Sequence, residues 1–184
     1  MSETTTAPAT GTPATPPLTV NVQYVKDMSF EVPGAPAIYA QLRTAPTVNI
    51  NLDVQARRVA QGQDSYEVAI IIRAEAHEPQ PAAGGANGQS GAPATGITPT
   101  VFVAEMTYAG IFTLKGVPEA SVEPVLLVEC PRILFPFARN ILADITRDGG
   151  FPPVLLQPID FVALWQARRN QAASPAVPPP APAA

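Results

Sequence analysis

Few residues in this chain of 184 are of types that make or break bonds, and they are scattered. His77 is the only histidine. A metal site needs several ligands at set spacings, and no second His or Cys stands at such a spacing from it, so it reads as a surface residue at a strand end. Cys130 is the only cysteine, which rules out an internal disulfide and fits a reducing compartment. A nucleophilic cysteine acts as thiolate, whereas Cys130 precedes Pro131 in apolar sequence with no His nearby. Burial there raises a thiol pKa, which makes the role structural. Asp144 and Asp148, four apart on a helix, put two carboxylates on one side and read as a solvated face. The glycine-rich GGANGQSG lacks the Lys-Ser/Thr and the strand-to-helix junction of a phosphate cradle. No G-x-S-x-G, H-E-x-x-H or Walker pattern occurs. The chain is therefore predicted not to be an enzyme, and to need no cofactor or metal.

Charge and hydropathy exclude further classes. A net charge of −4 and a pI near 4.9 oppose nucleic acid as a partner, since phosphate binding needs a basic surface. The N-terminal MSETTTAPATGTPATPP has no Lys or Arg and no apolar run, so it resembles neither a signal nor a transit peptide. No apolar run reaches the roughly 18 residues of a membrane span. The expectation is a soluble, cytoplasmic protein without direct membrane insertion.

The elements that must position any site come next. Residues 1–17, 79–99 and 171–184 hold 13 of the 23 prolines and one charged residue, Glu3. Such sequence cannot bury enough apolar surface to offset chain entropy, so all three segments are predicted to be disordered. Residues 18–170 form the domain, with 79–99 as an overgrown hairpin loop between strands two and three. LTVNVQYV places Leu18, Val20, Val22 and Tyr24 on one face, and TVNINLDV repeats the alternation through Val48, Ile50, Leu52 and Val54. YEVAIIIRAEA and VFVAEMTYAGIFTL are longer and equally rich in strand formers. The period then changes. Residues 132–148 set Leu134, Ala138, Ile141, Leu142 and Ile145 on one helical stripe, stopped by Gly149-Gly150. Asp160 caps a second helix carrying Phe161, Leu164 and Trp165, and Arg168-Arg169 suit its C-terminal end. The prediction is α+β: a four-stranded antiparallel sheet with helices on one face.

One stretch, CPRILFPFARNILADITRDGGFPP, combines a bulky apolar cluster with Pro131 and Pro136, as a proline-bounded turn before the helix. CPRILFPFARN and GGFPPVLLQPIDFVALW resemble the signature of the SecB protein-export chaperone family. That pattern runs roughly Cys-Pro-x-Ile-Leu-Phe-Pro-Tyr-Ala-Arg, then Phe-Pro-x-Leu-x-Leu-x-Pro-Val-Asn-Phe. YVKDMSFEVPGAP and FVAEMTYAGIFTLKG are similar to further family segments, in the same order, and the match spans 18–166. Phe137 stands where Tyr is usual, Asp160 where Asn is usual, and Leu42-Arg43 near a customary tryptophan.

The resemblance implies a homotetramer, a dimer of dimers. It also implies an ATP-independent chaperone that holds unfolded precursor proteins and delivers them to the SecA motor. A client groove is expected from Ile133, Leu134, Phe135, Pro136 and Phe137, with Tyr39 and Leu42 in the first loop and Val154, Leu155 and Leu156 before the last helix. Prolines would stiffen its lining, so that less entropy is lost on binding. Alternation puts Val103 and Glu105 on the open side of the sheet, and the resemblance adds Asp27 and Glu31 to this SecA-binding surface. The helix 132–148 carries more apolar surface than one stripe needs, which predicts self-association about two-fold axes. Ala104, Met106, Tyr108, Ile141, Leu142 and Ile145 are the expected oligomer interface. The alternative is a SecB-like module dedicated to a non-export partner.

Overall fold

The structure, a computed structural model, describes residues 17–79 and 99–173. Strands β1 (Leu18–Glu31), β2 (Thr47–Arg58), β3 (Ser65–His77) and β4 (Thr100–Leu114) form one antiparallel sheet in the order β1-β4-β3-β2. The α+β class and the four strands are as expected. The segment 79–99 joins the third and fourth strands, however, and not the second and third. The expected disorder of the three proline-rich segments falls almost wholly outside the described residues. Its boundary is corrected at the C-terminal end, where a helix runs to Ala173.

Alternation holds in β2, β3 and β4 but fails in β1. Leu18 pairs with Leu114 and Val20 with Phe112, on the face that the helices cover. A bulge at Asn21 then shifts the register, so Val22 lies opposite Ile111 and Tyr24 opposite Ala109, on the other face. One extra residue reverses every following side chain. A second bulge, between Val25 and Asp27, returns Met28 and Phe30 to the helix side. The expected single face of Leu18, Val20, Val22 and Tyr24 is therefore split in two.

Short α1 (Ala37–Gln41) follows β1. After β4 comes one continuous helical run: α2 (Glu119–Pro124), a π-helical turn (Val125–Glu129) and α3 (Cys130–Asp148). Pro131 and Pro136 do not bound a turn. Pro131 lies just after the π-helical turn, within the same helical run, and its missing N–H falls at the junction where the hydrogen-bond pattern already changes. Pro136 lies inside the helix, at a cost of about 3 kcal/mol. Its neighbours Leu134, Phe135, Ala138 and Leu142 are buried, and large apolar side chains contribute about 1.5–3 kcal/mol each, so packing outweighs the defect. Gly150, at φ 85°, ends the helix in the left-handed conformation that glycine tolerates.

Helix α4 (Phe161–Ala173) starts as expected, with Asp160 Oδ1 accepting from Val162 N at 2.9 Å and Ala163 N at 3.0 Å. Its Trp165 Nε1 donates to Glu123 of α2 at 3.1 Å, while Arg168 reaches Asp53 and the Val54 carbonyl of β2. The main core lies between the sheet and α3, around Ile70, Ile72, Phe112, Leu134, Leu142 and Phe161. A second cluster joins Ile38, Val101, Phe102 and Phe151.

Gly110 of β4 lies beneath α3. A Cβ there would stand 2.9 Å from Leu134 Cδ2 and 2.9 Å from the Phe112 ring, both in the dry core. Gly110→Ala is expected to lower stability by about 1–3 kcal/mol. Urea denaturation checks this: a midpoint equal to the parent's would mean that the sheet–helix interface has room to spare.

Candidate functional site

The residues of bond-making type stay apart in the fold. Among the described residues no group of His, Cys, Asp and Glu could hold a metal. His77, half-buried at the end of β3, has Nε2 3.7 Å from Glu75. Cys130 is fully buried, and desolvation, with a smaller contribution from Glu129, pushes its thiol up to about 12. Asp144 and Asp148 are exposed, and Asp144 pairs with Arg147.

The structure instead forms an apolar groove of about 550 Å³. One wall is Ala45, Pro46, Val48 and Ile50, where the chain enters and begins β2, an edge strand. The other wall is the extended segment 152–159, and Phe102 of β4 lies between them. Gln157 is its one polar lining residue. Prolines 152, 153 and 158 hold the second wall extended and prevent it from coiling into helix. Phe102 also stacks into an aromatic cluster, with ring centres 4.9 Å from Phe151 and 5.4 Å from Phe30. Tyr39 extends that cluster, 5.4 Å from Phe151, and its hydroxyl donates to the Gly149 carbonyl at 2.9 Å.

Of the expected groove residues, Val154, Leu155 and Leu156 line this groove. Tyr39 and Leu42 lie beside it, against the aromatic cluster. The α3 residues do not line it. Leu134 is 0 % exposed and Phe135 8 %, with the Phe135 ring edge-on to Phe161 at 5.8 Å. Ile133 packs partly on the core, Pro136 is exposed, and Phe137 stacks on Tyr108 with centres 6.2 Å apart. The expectation missed Val48, Ile50 and Phe102. Their sequence signal, alternation, marks only a face, and cannot tell covered core from the half-open end of an edge strand.

Among the described residues no helix covers the opposite face of the sheet. There Asp27, Glu31 and Glu105 are exposed and Val103 half-buried, and register brings them together across β1 and β4: Asp27 opposite Thr107, Ser29 opposite Glu105, Glu31 opposite Val103. Arg73 of β3 pairs with Glu105. Further along, Glu67 is 5 % exposed yet charged. It accepts from Arg57 Nε at 2.6 Å, from Tyr24 and from Lys26 Nζ at 2.9 Å. The Arg57 bond foremost, helped by those of Tyr24 and Lys26, holds its carboxyl well below its usual 4.5, at about 2, against the opposing effect of burial.

The expected oligomer residues are corrected in part. Ala104, Met106 and Leu142 are 1 %, 3 % and 1 % exposed inside the subunit's own core, and Tyr108 is buried too, so none offers surface to a neighbour. Ile141 and Ile145 are half-buried on α3. Apolar surface is left open elsewhere, and away from the groove it includes Val25 and Met28 of edge strand β1 and Phe137 of α3.

Among the described residues no helix is long and apolar enough to cross a membrane. The family described as preprotein translocase subunit SecB matches residues 11–172. Protein-export protein SecB of Acidiphilium cryptum is 66 % identical over 155 residues, covering 84 % of this chain and 90 % of that protein. The protein of that name from Granulibacter bethesdensis is 63 % identical over 163 residues, covering 89 % and 88 %. In shape the chain is similar to a Mycobacterium tuberculosis SecB-like chaperone solved with an antitoxin peptide. The TM-score is 0.56 at 14 % identity, over 77 % of this chain and 90 % of that one.

Glu67 makes one pH dependence testable. Its folded pKa is depressed, so its contribution is present above about 4.5 and is lost as pH falls toward about 2. Urea midpoints recorded across that range should fall more steeply in the parent than in Glu67→Gln. Parallel curves would mean that the Arg57–Glu67–Lys26 cluster adds nothing to acid sensitivity.

Proposed function

The chain belongs to the SecB family of protein-export chaperones, and we propose that it holds unfolded precursors in the groove between β2 and segment 152–159. It is a chaperone, not an enzyme. The observation that carries the groove assignment is an apolar, open channel laid along an edge strand. Unfolded clients share no sequence, but they share a backbone and scattered apolar side chains. An edge strand offers unpaired N–H and C=O groups to any extended backbone, and the apolar walls accept alternate side chains.

Magnitudes argue for several grooves acting together. Burying two or three client side chains contributes about 1.5–3 kcal/mol each. Association costs about 4–15 kcal/mol, so one groove holds weakly and releases easily. Linking copies raises avidity without new contacts. We therefore read the open band of Val25, Met28 and Phe137 as a subunit interface, with two-fold contacts closing a dimer of dimers. In this reading the uncovered sheet face, with Asp27, Glu31, Val103 and Glu105, docks the SecA motor in the cytoplasm. A non-export partner is the weaker alternative: it rests on a fold likeness at 14 % identity, whereas the relatives named for export are above 60 %.

The groove is tested with Leu155→Asp and Ile50→Asp, at residues 59 % and 41 % exposed in the parent. Both should keep a light-scattering mass of about four 19.3 kDa chains yet lose suppression of aggregation of an unfolded precursor by about tenfold or more. Full suppression by both variants would exclude this groove.

Charge reversal at Asp27, Glu31 and Glu105 tests the other face. Motor affinity should fall and lose its salt dependence while precursor holding stays intact. Motor binding that is unchanged, or insensitive to salt in the parent, would rule out electrostatic docking there.

A further inference from the structure

The second wall of the groove has no secondary structure, so something other than a helix or sheet ladder must set its position. The segment 151–154 reads Phe-Pro-Pro-Val. Its two prolines have no N–H, which leaves two backbone donors. Both end on Thr146 of α3. Phe151 N donates to the Thr146 carbonyl at 3.1 Å, and Val154 N donates to Thr146 Oγ1 at 3.0 Å.

The side chain is set for this task. Thr146 is 0 % exposed, one of only two buried polar or charged residues among those described. Its hydroxyl proton is directed back into its own helix, toward the Leu142 carbonyl at 2.9 Å and the Ala143 carbonyl at 3.1 Å. That leaves an oxygen lone pair facing the segment, where Val154 N meets it. β-branching restricts the rotamer, so the acceptor is held in one place. Val154 is itself a groove residue, followed directly by Leu155 and Leu156. The far end of the wall is fixed separately, by the Asp160 cap of α4.

We infer that Thr146 is a positioning residue for client binding: its hydroxyl clamps Val154 and thereby sets the separation of the extended wall from β2. This rests on the groove reading above. A buried Thr in a helix would otherwise be replaceable by Val, which has the same shape and higher hydropathy. Valine, however, leaves Val154 N without its acceptor and frees the start of the wall.

The experiment compares Thr146→Val, Thr146→Ala and Thr146→Ser with the parent in the full-length assembled protein. Hydrogen exchange is followed in a proteolytic fragment that begins upstream of Phe151 and includes Val154: the Val154 amide reports on the hydroxyl clamp, and the Phe151 amide, bonded to the Thr146 carbonyl in every variant, is the internal reference. Affinity is measured for a dye-labelled peptide of alternating Leu and Ser. Val and Ala should speed exchange of one amide by about tenfold and weaken the peptide about three- to tenfold, and Ser should restore both. A core control, Leu142→Ala, should lower the melting temperature without the same loss of affinity. Exchange unchanged in Val and Ala overturns the clamp. Exchange raised with affinity unchanged overturns the positioning role, as does a Ser variant as weak as Val or a control that loses as much affinity. Leu155→Asp separates the two readings: if it too leaves the peptide bound, the groove assignment has failed and the proposal falls with it.

Discussion

The packing of α3 across β3 and β4 is the contact on which the rest depends. Leu134, Ala138 and Leu142 lie one turn apart along α3 and are all essentially unexposed beneath it. Ala138 and Gly110 keep the helix and sheet close. Among the described residues there is one helical layer for one sheet, so this contact divides the molecule. The covered face becomes a dry core, and the other stays wet, with Glu67 held by Arg57, Tyr24 and Lys26. Among the described residues both sheet edges are also without a strand partner. A larger domain would cover these surfaces; here each is available for binding.

The groove follows from the same geometry. Helix α3 ends over one end of the sheet, at Gly149 and Gly150, and the chain must cross to the β2 side before α4 can begin. Four of the nine residues 152–160 are unable to settle into helix easily: three prolines and the capping Asp160. The crossing is therefore extended and runs beside an edge strand. The space between them fills only in part, because Phe102 is drawn into the aromatic cluster with Phe30 and Phe151.

What was legible in the sequence was whatever local chemistry decides. Alternation in TVNINLDV and the stripe of α3 reflect burial periods, and Asp160 caps as its side chain dictates. Three features were not decided by local chemistry. The Asn21 bulge in β1 reverses Val22 and Tyr24, and Glu67, 43 residues away, is what Tyr24 meets there. Pro136 stays helical because the core beneath its neighbours outweighs a lost hydrogen bond. Helix α2 buries no residue, so no apolar stripe announces it. The groove was half legible: Val154 to Leu156 declare themselves through the prolines around them. Leu134 and Phe135 attract notice as bulky apolar residues, yet it is their size that fills the core. For the sheet face, alternation placed Val103 and Glu105 together, but not the Arg73 that pairs with Glu105.

Trp165 is the only tryptophan in the chain, and its surroundings are specific. Its indole N–H donates to Glu123, and the Arg169 guanidinium lies over its ring, 5.1 Å from the centroid. The Glu123 bond ties α4 to α2, the Arg169 contact lies within α4 itself, and Arg168 ties the same helix to the edge of β2. Indole emission responds to the polarity and charge beside the ring, so the protein carries a single built-in indole reporter at the joint between α4 and its neighbours. Its colour and intensity report whether the last helix is seated, in the unlabelled protein and in real time, free of any contribution from a second tryptophan.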